Sequence, residues 1–286
     1  MRRPVLVFGA DGLLGRELVR AFGQAGEVIS ATRPVCDITR LEDVLRLVEE
    51  VGPDLVANAA AFTRVDACED EPERAYAVNA LGARNVAVAA ARVGAALVYF
   101  STDYVFDGRK GSPYSEFDRP NPLSVYGRSK LAGEESVRSL CPRHYVVRTQ
   151  WLYGRTGTSF VRTILNLAAA GQSPRVVADQ FGSPTLAADL ATAVARLTTR
   201  PGFGTYHLTN GGFCSWYSFA REIVNRAGLR SQVTPVSTAE VKRPAPRPAF
   251  SVLENLCWRL EGFEPLPDYR VALARFLESP REGDKT

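Results

Sequence analysis

Two spacings of apolar residues alternate along this chain. Short unbroken apolar runs recur, and between them apolar positions fall every three or four residues. Pro4-Val-Leu-Val-Phe8 is the first run, and its continuity predicts a strand buried on both faces, as in a parallel sheet. Leu13, Leu14, Leu18, Val19 and Phe22 then mark the apolar stripe of a helix from about residue 12 to 23. The same reading predicts strands at 27–30, 54–57, 95–100 and 145–148. It predicts helices at 41–51, at 73–93, and over a stretch that carries Tyr126 and Lys130 and ends near Ser139. Thr39 is placed to cap the helix at 41–51, with Glu42 adding favourable charge to its first turn. Strands alternating with helices predict an α/β fold, a Rossmann-like doubly wound parallel sheet.

Beyond Trp151 the pattern loosens. Helices are expected at 159–170, 186–198 and 215–227, and short strands at 175–177 and 204–208. Residues 242–248 hold three prolines and read as an extended surface loop, and the polar tail 278–286 reads as frayed. The division expected is a dinucleotide-binding domain over residues 1–150. A smaller, mainly substrate-binding lobe over 151–286 interleaves with it.

Composition narrows the function classes. The net charge of +4 is mild and the basic residues are dispersed, which argues against a nucleic-acid partner. Cys36, Cys68, Cys141, Cys214 and Cys257 are widely separated with no C-x-x-C, against a zinc site or disulfide framework and for a reducing compartment. No apolar run approaches the ~20 residues needed to span a bilayer, and Met1-Arg-Arg-Pro leads into a strand and not a signal peptide. The expectation is a cytoplasmic protein without a membrane partner.

Candidate chemistry enters with two motifs. Gly9-Ala-Asp-Gly12-Leu-Leu-Gly15 follows a strand and opens a helix. Gly9 permits the tight turn, Gly12 lets the backbone approach a pyrophosphate, and Gly15 allows close helix–sheet packing. The helix N-terminus then offers unpaired N–H groups to phosphates. Arg33 lies near the end of the second strand and either suits a ribose 2′-phosphate or is simply solvated. No acidic residue sits at that strand end itself, so NADPH, or use of both NADPH and NADH, is favoured, with Asp37 a separate candidate on the adenine side. The small residues of Asn58-Ala-Ala-Ala61 serve either the cofactor or tight packing under the sheet. The second motif is Tyr126-Gly-Arg-Ser-Lys130. At four residues apart, Tyr126 and Lys130 share a helix face. A lone tyrosine titrates near ~10, and an ammonium beside it favours the phenolate, which makes the phenol a usable general acid. Lys130 stands out because only four lysines occur against 31 arginines. Ser101-Thr-Asp103 follows the fourth strand, at the edge where doubly wound sheets bind ligands, and a hydroxyl there can bond a substrate carbonyl oxygen; a capped turn is the structural alternative. His144 and His207 have no cluster around them and read as structural.

Further stretches carry a family resemblance. Ser101-Thr-Asp-Tyr-Val-Phe-Asp-Gly108, the Pro122–Glu134 segment, Trp151-Leu-Tyr-Gly154, Asp179-Gln-Phe-Gly-Ser-Pro-Thr185 and Arg247-Pro-Ala-Phe-Ser251 occur in order from end to end. With the glycine loop and Asn58–Thr63, they resemble the extended short-chain dehydrogenases/reductases that act on nucleotide sugars. The resemblance implies NAD(P)H-dependent reduction of the C4 keto group of dTDP-4-dehydro-L-rhamnose to dTDP-L-rhamnose, for cell-surface polysaccharide. It implies that Tyr126 is the general acid, with Thr102 and Lys130 completing the catalytic set. Gly12, Leu13 and Leu14 would line the pyrophosphate loop. Asp37 and Ile38 would touch the adenine end, and Ala61, Phe62 and Thr63 the nicotinamide side. Thr102, Asp103 and Trp151 would contact the sugar, and Arg247 the nucleotide or its phosphates. Two departures stand out. A lysine often follows the Ser-x-Leu of the last motif, whereas Ser251-Val-Leu253 leads here to Cys257. No acidic cluster matches the interfacial magnesium site of some relatives, so no metal is expected; a homodimer is compatible with the resemblance. A different nucleotide-sugar 4-ketoreductase or an epimerase would share these motifs. A non-catalytic cofactor-binding regulatory subunit, like that of methionine adenosyltransferase, is a further alternative, opposed by the intact Thr102, Tyr126 and Lys130.

Overall fold

The computed structural model describes residues 4–278. The polar tail expected from residue 278 lies, past that first residue, outside the described residues. Six parallel strands form the main sheet in the order β2 (Val28–Ala31), β1 (Val5–Phe8), β3 (Leu55–Asn58), β4 (Ala96–Thr102), β5 (His144–Thr149) and β10 (Gly204–His207). The register runs straight across: Phe8 opposes Ala31 on one side and Asn58 on the other, and Asn58 opposes Tyr99. Order reverses at β1, so a crevice opens between β1 and β3 at their carboxyl ends.

Side chains alternate across this sheet and build two cores. Leu6, Phe8, Val56, Leu97, Tyr99 and Val146 face one layer of helices, α2 (Leu41–Val51), α5 (Ala83–Arg92) and α6 (Val125–Leu140). Val7, Ala57, Val98, Phe100 and Val147 face α1 (Leu13–Gly23) and α8 (Ala187–Leu197). The chain past residue 151 therefore returns to the first half: α8 packs on α1, and β10 pairs with β5 as the outer strand of the main sheet. A third core belongs to the lobe, where Tyr153, Val161, Ile164, Phe219, Ile223 and Leu273 pack together. Its elements are β6 (Leu152–Tyr153), α7 (Phe160–Ala169), β7 (Arg175–Val177), β8 (Phe181–Gly182), β9 (Thr185–Leu186), β11 (Cys214–Ser215), α9 (Trp216–Arg226), β12 (Thr234–Val236) and α11 (Tyr269–Glu278), whereas α10 (Leu256–Leu260) packs on β10 with Trp258 in the α1–α8 core.

Four local expectations differ from the structure. Thr39 does not cap α2: its hydroxyl donates to Asp37 Oδ1 at 2.8 Å, and the capping position falls to Arg40, whose side chain makes no cap. The helix expected at 73–93 is three pieces, α4 (Pro72–Tyr76), a π-helical segment Ala77–Gly82, and α5. A six-residue helix, α3 (Val65–Asp70), appears where no apolar period marked one. Residues 242–248 are irregular as expected but not wholly a surface loop, because Ala245 is buried and its N–H donates to Asp66 Oδ1 at 3.2 Å.

Candidate active site

The glycine turn is built as its spacing requires. Gly9 has φ +69°, and a Cβ there would lie 2.7 Å from Ala60 N. A Cβ on Gly15 would strike Gly9 O at 2.0 Å, so α1 can approach β1 only with glycine at that position. Gly12 takes the N-cap of α1 in extended conformation and no side chain caps the helix. The first-turn N–H groups are therefore left to a ligand, and their dipole favours an anion. These features fit a dinucleotide pyrophosphate.

A cavity of about 260 Å³ lies beside this turn, lined by Gly9, Gly12, Arg33, Asp37, Ile38 and Phe62 among others. Arg33 is not a free cation there: its Nε donates to Asp37 Oδ2 at 3.3 Å, and both side chains retain exposure. Burial opposes it, yet the Thr39 N–H and hydroxyl and then Arg33 hold the Asp37 carboxyl below its usual range. Ala59, Ala61 and Gly12 also line a second cavity of about 460 Å³, so the two are contiguous. This second cavity brings together Gly12, Leu13, Leu14, Gly15, Thr63, Thr102, Asp103, Tyr126, Lys130 and Trp151. Tyr104 and Trp216 lead on from it into a third, of about 660 Å³. There Arg175, Lys242, Arg243 and Arg247 surround an apolar floor that includes Ile164, Leu167 and Val176. Of the residues expected at the site, Arg33, Asp37 and Ile38 lie at one end of this trough and Arg247 at the other.

Helix α6 carries the tyrosine and lysine. Ser124 caps it, accepting from Gly127 N at 3.1 Å, and Glu69 Oε1 accepts from Val125 N at 2.8 Å. The charge relation differs from the expectation. Burial raises the Tyr126 phenol well above its ordinary value, and a hydrogen bond with the Thr102 hydroxyl opposes this only in part. Burial also lowers Lys130 to about 7, with the Glu134 charge opposing, and Lys130 Nζ faces the Tyr99 ring at 4.1 Å from its centroid. Desolvation thus outweighs the helix-neighbour effect that favoured a phenolate. Tyr126 is held as the protonated phenol, the form that can give up a proton.

Asp103 is buried beneath Thr102. Thr102 Oγ1 donates to Asp103 Oδ1 at 3.1 Å and Ser251 Oγ donates to Oδ2 at 2.5 Å. Burial lifts its carboxyl to about 7 despite these bonds. Trp151 has φ +48°, the only positive value outside glycine among the described residues, and its ring stacks on Trp216 at 3.5 Å. A Cβ on Gly182 would meet Trp151 Cε2 at 2.5 Å, so glycine is needed beneath it. The Phe181↔Phe250 bridge draws the Asp179–Thr185 and Arg247–Ser251 stretches together.

Several site residues carried too weak a local signal to be singled out. Asn79 sits in the π-helical segment, accepts from Phe62 N at 2.8 Å, and donates to Phe62 O and Ser129 Oγ, both at 3.0 Å. It ties the loop at Phe62 to α6. An asparagine inside an Ala-rich helical stretch was its one clue. Ser251 lay within a quoted motif, but its link to Asp103 spans 148 residues. Tyr104 lies within the Ser101–Gly108 stretch but has no role implied for it there, and Asp66 and Trp216 lie in no such stretch. His207 is fully buried, with Nδ1 3.0 Å from Tyr114 O and Nε2 3.3 Å from Arg148 Nη1, which fits a structural role. Among the described residues no three His, Cys, Asp or Glu side chains converge as a metal site. No helix among the described residues is long and apolar enough to cross a membrane.

Comparison with known proteins adds four findings. The family described as the RmlD substrate binding domain matches residues 1–281. The spore coat polysaccharide biosynthesis protein SpsK of Bacillus subtilis is 44% identical over 275 residues, covering 96% of each chain. The dTDP-4-dehydrorhamnose reductase of Mycolicibacterium smegmatis is 42% identical over 280 residues, 96% of this chain and 84% of that one. Among solved structures, a dTDP-4-dehydrorhamnose reductase from Bacillus anthracis, in complex with NADP, superposes with a TM-score of 0.95. It has 42% identity and covers 96% of this chain and 99% of that one.

Proposed function

From the premise that the chain belongs to the RmlD substrate binding domain family, we propose that it is a dTDP-4-dehydrorhamnose reductase. It uses NAD(P)H to reduce the C4 keto group of dTDP-4-dehydro-L-rhamnose to dTDP-L-rhamnose, in dTDP-rhamnose and polysaccharide biosynthesis. The observation that carries the site assignment is the continuous trough. It runs from the glycine turn, past Tyr126, Lys130 and Thr102, to a cation-lined apolar slot of nucleotide size.

The residues divide the work as follows. Gly9, Gly12, Leu13, Leu14 and Gly15 hold the pyrophosphate, Arg33, Asp37 and Ile38 the adenosine end, and Ala61, Phe62 and Thr63 the nicotinamide side. When bound, NAD(P)H supplies the hydride. Tyr126, kept protonated by burial, gives its proton to the alkoxide forming at C4. Thr102 hydrogen-bonds the same oxygen, which stabilises developing charge. Lys130 bonds the nicotinamide ribose. Trp151, seated on Trp216, covers the sugar and excludes water. Arg247 faces the diphosphate, and remote binding there positions the keto group.

The test is to mix the purified protein with dTDP-4-dehydro-L-rhamnose and follow absorbance loss from NADPH, then from NADH. Stoichiometric loss with dTDP-L-rhamnose as product supports the reading. Cofactor binding without turnover of this sugar would sink it and move the assignment to another 4-keto sugar.

A further inference from the structure

We propose that Asp66 is a positioning residue that sets Arg247 for a nucleoside diphosphate and thereby couples its binding to that of the dinucleotide cofactor. The inference rests on the reading of the cation-lined slot given above. Asp66 lies on α3, in the first half of the chain, and Arg247 lies 181 residues later on the irregular strap. Arg247 Nη1 donates to Asp66 Oδ1 and Nη2 to Oδ2, both at 2.9 Å, a two-pronged pairing that fixes the guanidinium plane. Nη1 also donates to Ala245 O at 2.7 Å, and the Ala245 N–H returns to Asp66 Oδ1 at 3.2 Å. Arg243 joins the same carboxylate at 3.5 Å. These bonds use both protons of Nη1 and one of Nη2. The Nε–H and the second Nη2 proton remain, on a side chain 12% exposed that lines the 660 Å³ cavity.

Asp66 is also close to the cofactor side. Only two residues separate it from Thr63, and Val65 lines the catalytic cavity together with Thr63. Ala59, Ala60, Ala61 and Phe62 line the adenine-side cavity in the same loop. Three residues on, Glu69 accepts from Val125 N at the start of α6. A dinucleotide laid along 59–63 therefore restrains the base of α3, and through Asp66 the guanidinium. Ordering that is complete before the second ligand arrives is not lost again on its binding, which makes the two affinities rise together.

The experiment is calorimetric titration of dTDP into wild type, Asp66→Asn and Arg247→Lys, each with and without saturating NADP⁺. In wild type NADP⁺ should tighten dTDP by at least about fivefold. In Asp66→Asn that tightening should fall below about twofold, and dTDP should bind about tenfold more weakly in the presence of NADP⁺. NADP⁺ affinity should stay within about twofold of wild type, which also reports an intact fold. Arg247→Lys, which keeps the charge and loses the fork, should behave alike and gives a second route if Asp66→Asn does not fold. In turnover, Asp66→Asn should raise the KM for the nucleotide sugar and leave kcat and the KM for NADPH nearly unchanged. A purely structural role would move all of them. Retained dTDP affinity or retained coupling in Asp66→Asn and Arg247→Lys overturns the proposal, as does absence of coupling in wild type. Failure of wild type to bind dTDP at all would instead overturn the functional reading on which it stands.

Discussion

Tyr126 and Asp103 are both governed by burial, which raises the phenol and the carboxyl alike. Burial keeps Tyr126 protonated, so removing only its hydroxyl removes the acid and little else. Tyr126→Phe should lower kcat by about 10²–10⁴-fold while leaving NADP⁺ binding intact, as read by steady-state rates and titration. Turnover near wild type would end the assignment. For Asp103, burial lifts the folded carboxyl to about 7, against roughly 3.9 in the unfolded chain. The unfolded state releases that proton first, so this group takes stability away as pH rises from roughly 4 to about 7, after which the loss is constant. Asp103→Asn removes the titration. Its melting temperature relative to wild type should therefore rise between pH 5 and pH 8. A difference independent of pH would show that the carboxyl is not held protonated in the fold.

At the scale of the element, α6 is placed by contacts that leave no room for a methyl group. A Cβ on Gly127 would lie 2.2 Å from Tyr104 O, and one on Gly133 would lie 2.2 Å from Asn79 O. Both neighbours are backbone and cannot rotate away. Gly127→Ala should thus shift the helix beside Tyr126, destabilise by about 1–3 kcal/mol in urea unfolding, and lower kcat. Gly23, at the end of α1, has nothing within 4 Å of such a Cβ, so Gly23→Ala should be neutral or stabilise by up to about 1 kcal/mol. Equal costs at the two positions would refute the packing argument. The sequence spacing of Gly9, Gly12 and Gly15 was legible because the whole turn is local. Gly127 and Gly133 read only as weak helix residues, since their partners lie on other elements. The π-helical segment was illegible for a related reason. Its irregularity serves Asn79, whose partners Phe62 and Ser129 are 17 and 50 residues away.

Across the whole molecule, a buried charge group fastens the catalytic helix to the sheet. Glu134 on α6 is fully buried and accepts from Arg148 on β5 at 2.9 and 2.8 Å, with Arg138 at 2.5 Å. Burial alone would raise the Glu134 carboxyl, but Arg148 and Arg138 hold it below its usual range. His207 on β10 completes the group, and burial beside Arg148 lowers its imidazole to about 3, so it stays neutral. Glu134→Gln would leave Arg148 buried without a counter-charge. The expected loss is about 3–5 kcal/mol, measured by urea unfolding at neutral pH. A loss under about 1 kcal/mol would mean that this group does not fasten α6 to the sheet.

The strands β1 to β5, the glycine turn and the Tyr126–Lys130 spacing were determined by the sequence alone, because each is set by residues within one or two turns of one another. The stretches that carry the family resemblance were legible for the same reason. Tertiary structure alone decided that β10 closes the main sheet, that Tyr126 is raised and not lowered, that Ser251 bonds Asp103, and that Arg247 is paired with Asp66. Desolvation depends on everything that packs around a group, and ion pairs depend on which distant segments meet. Neither quantity exists until the chain has folded.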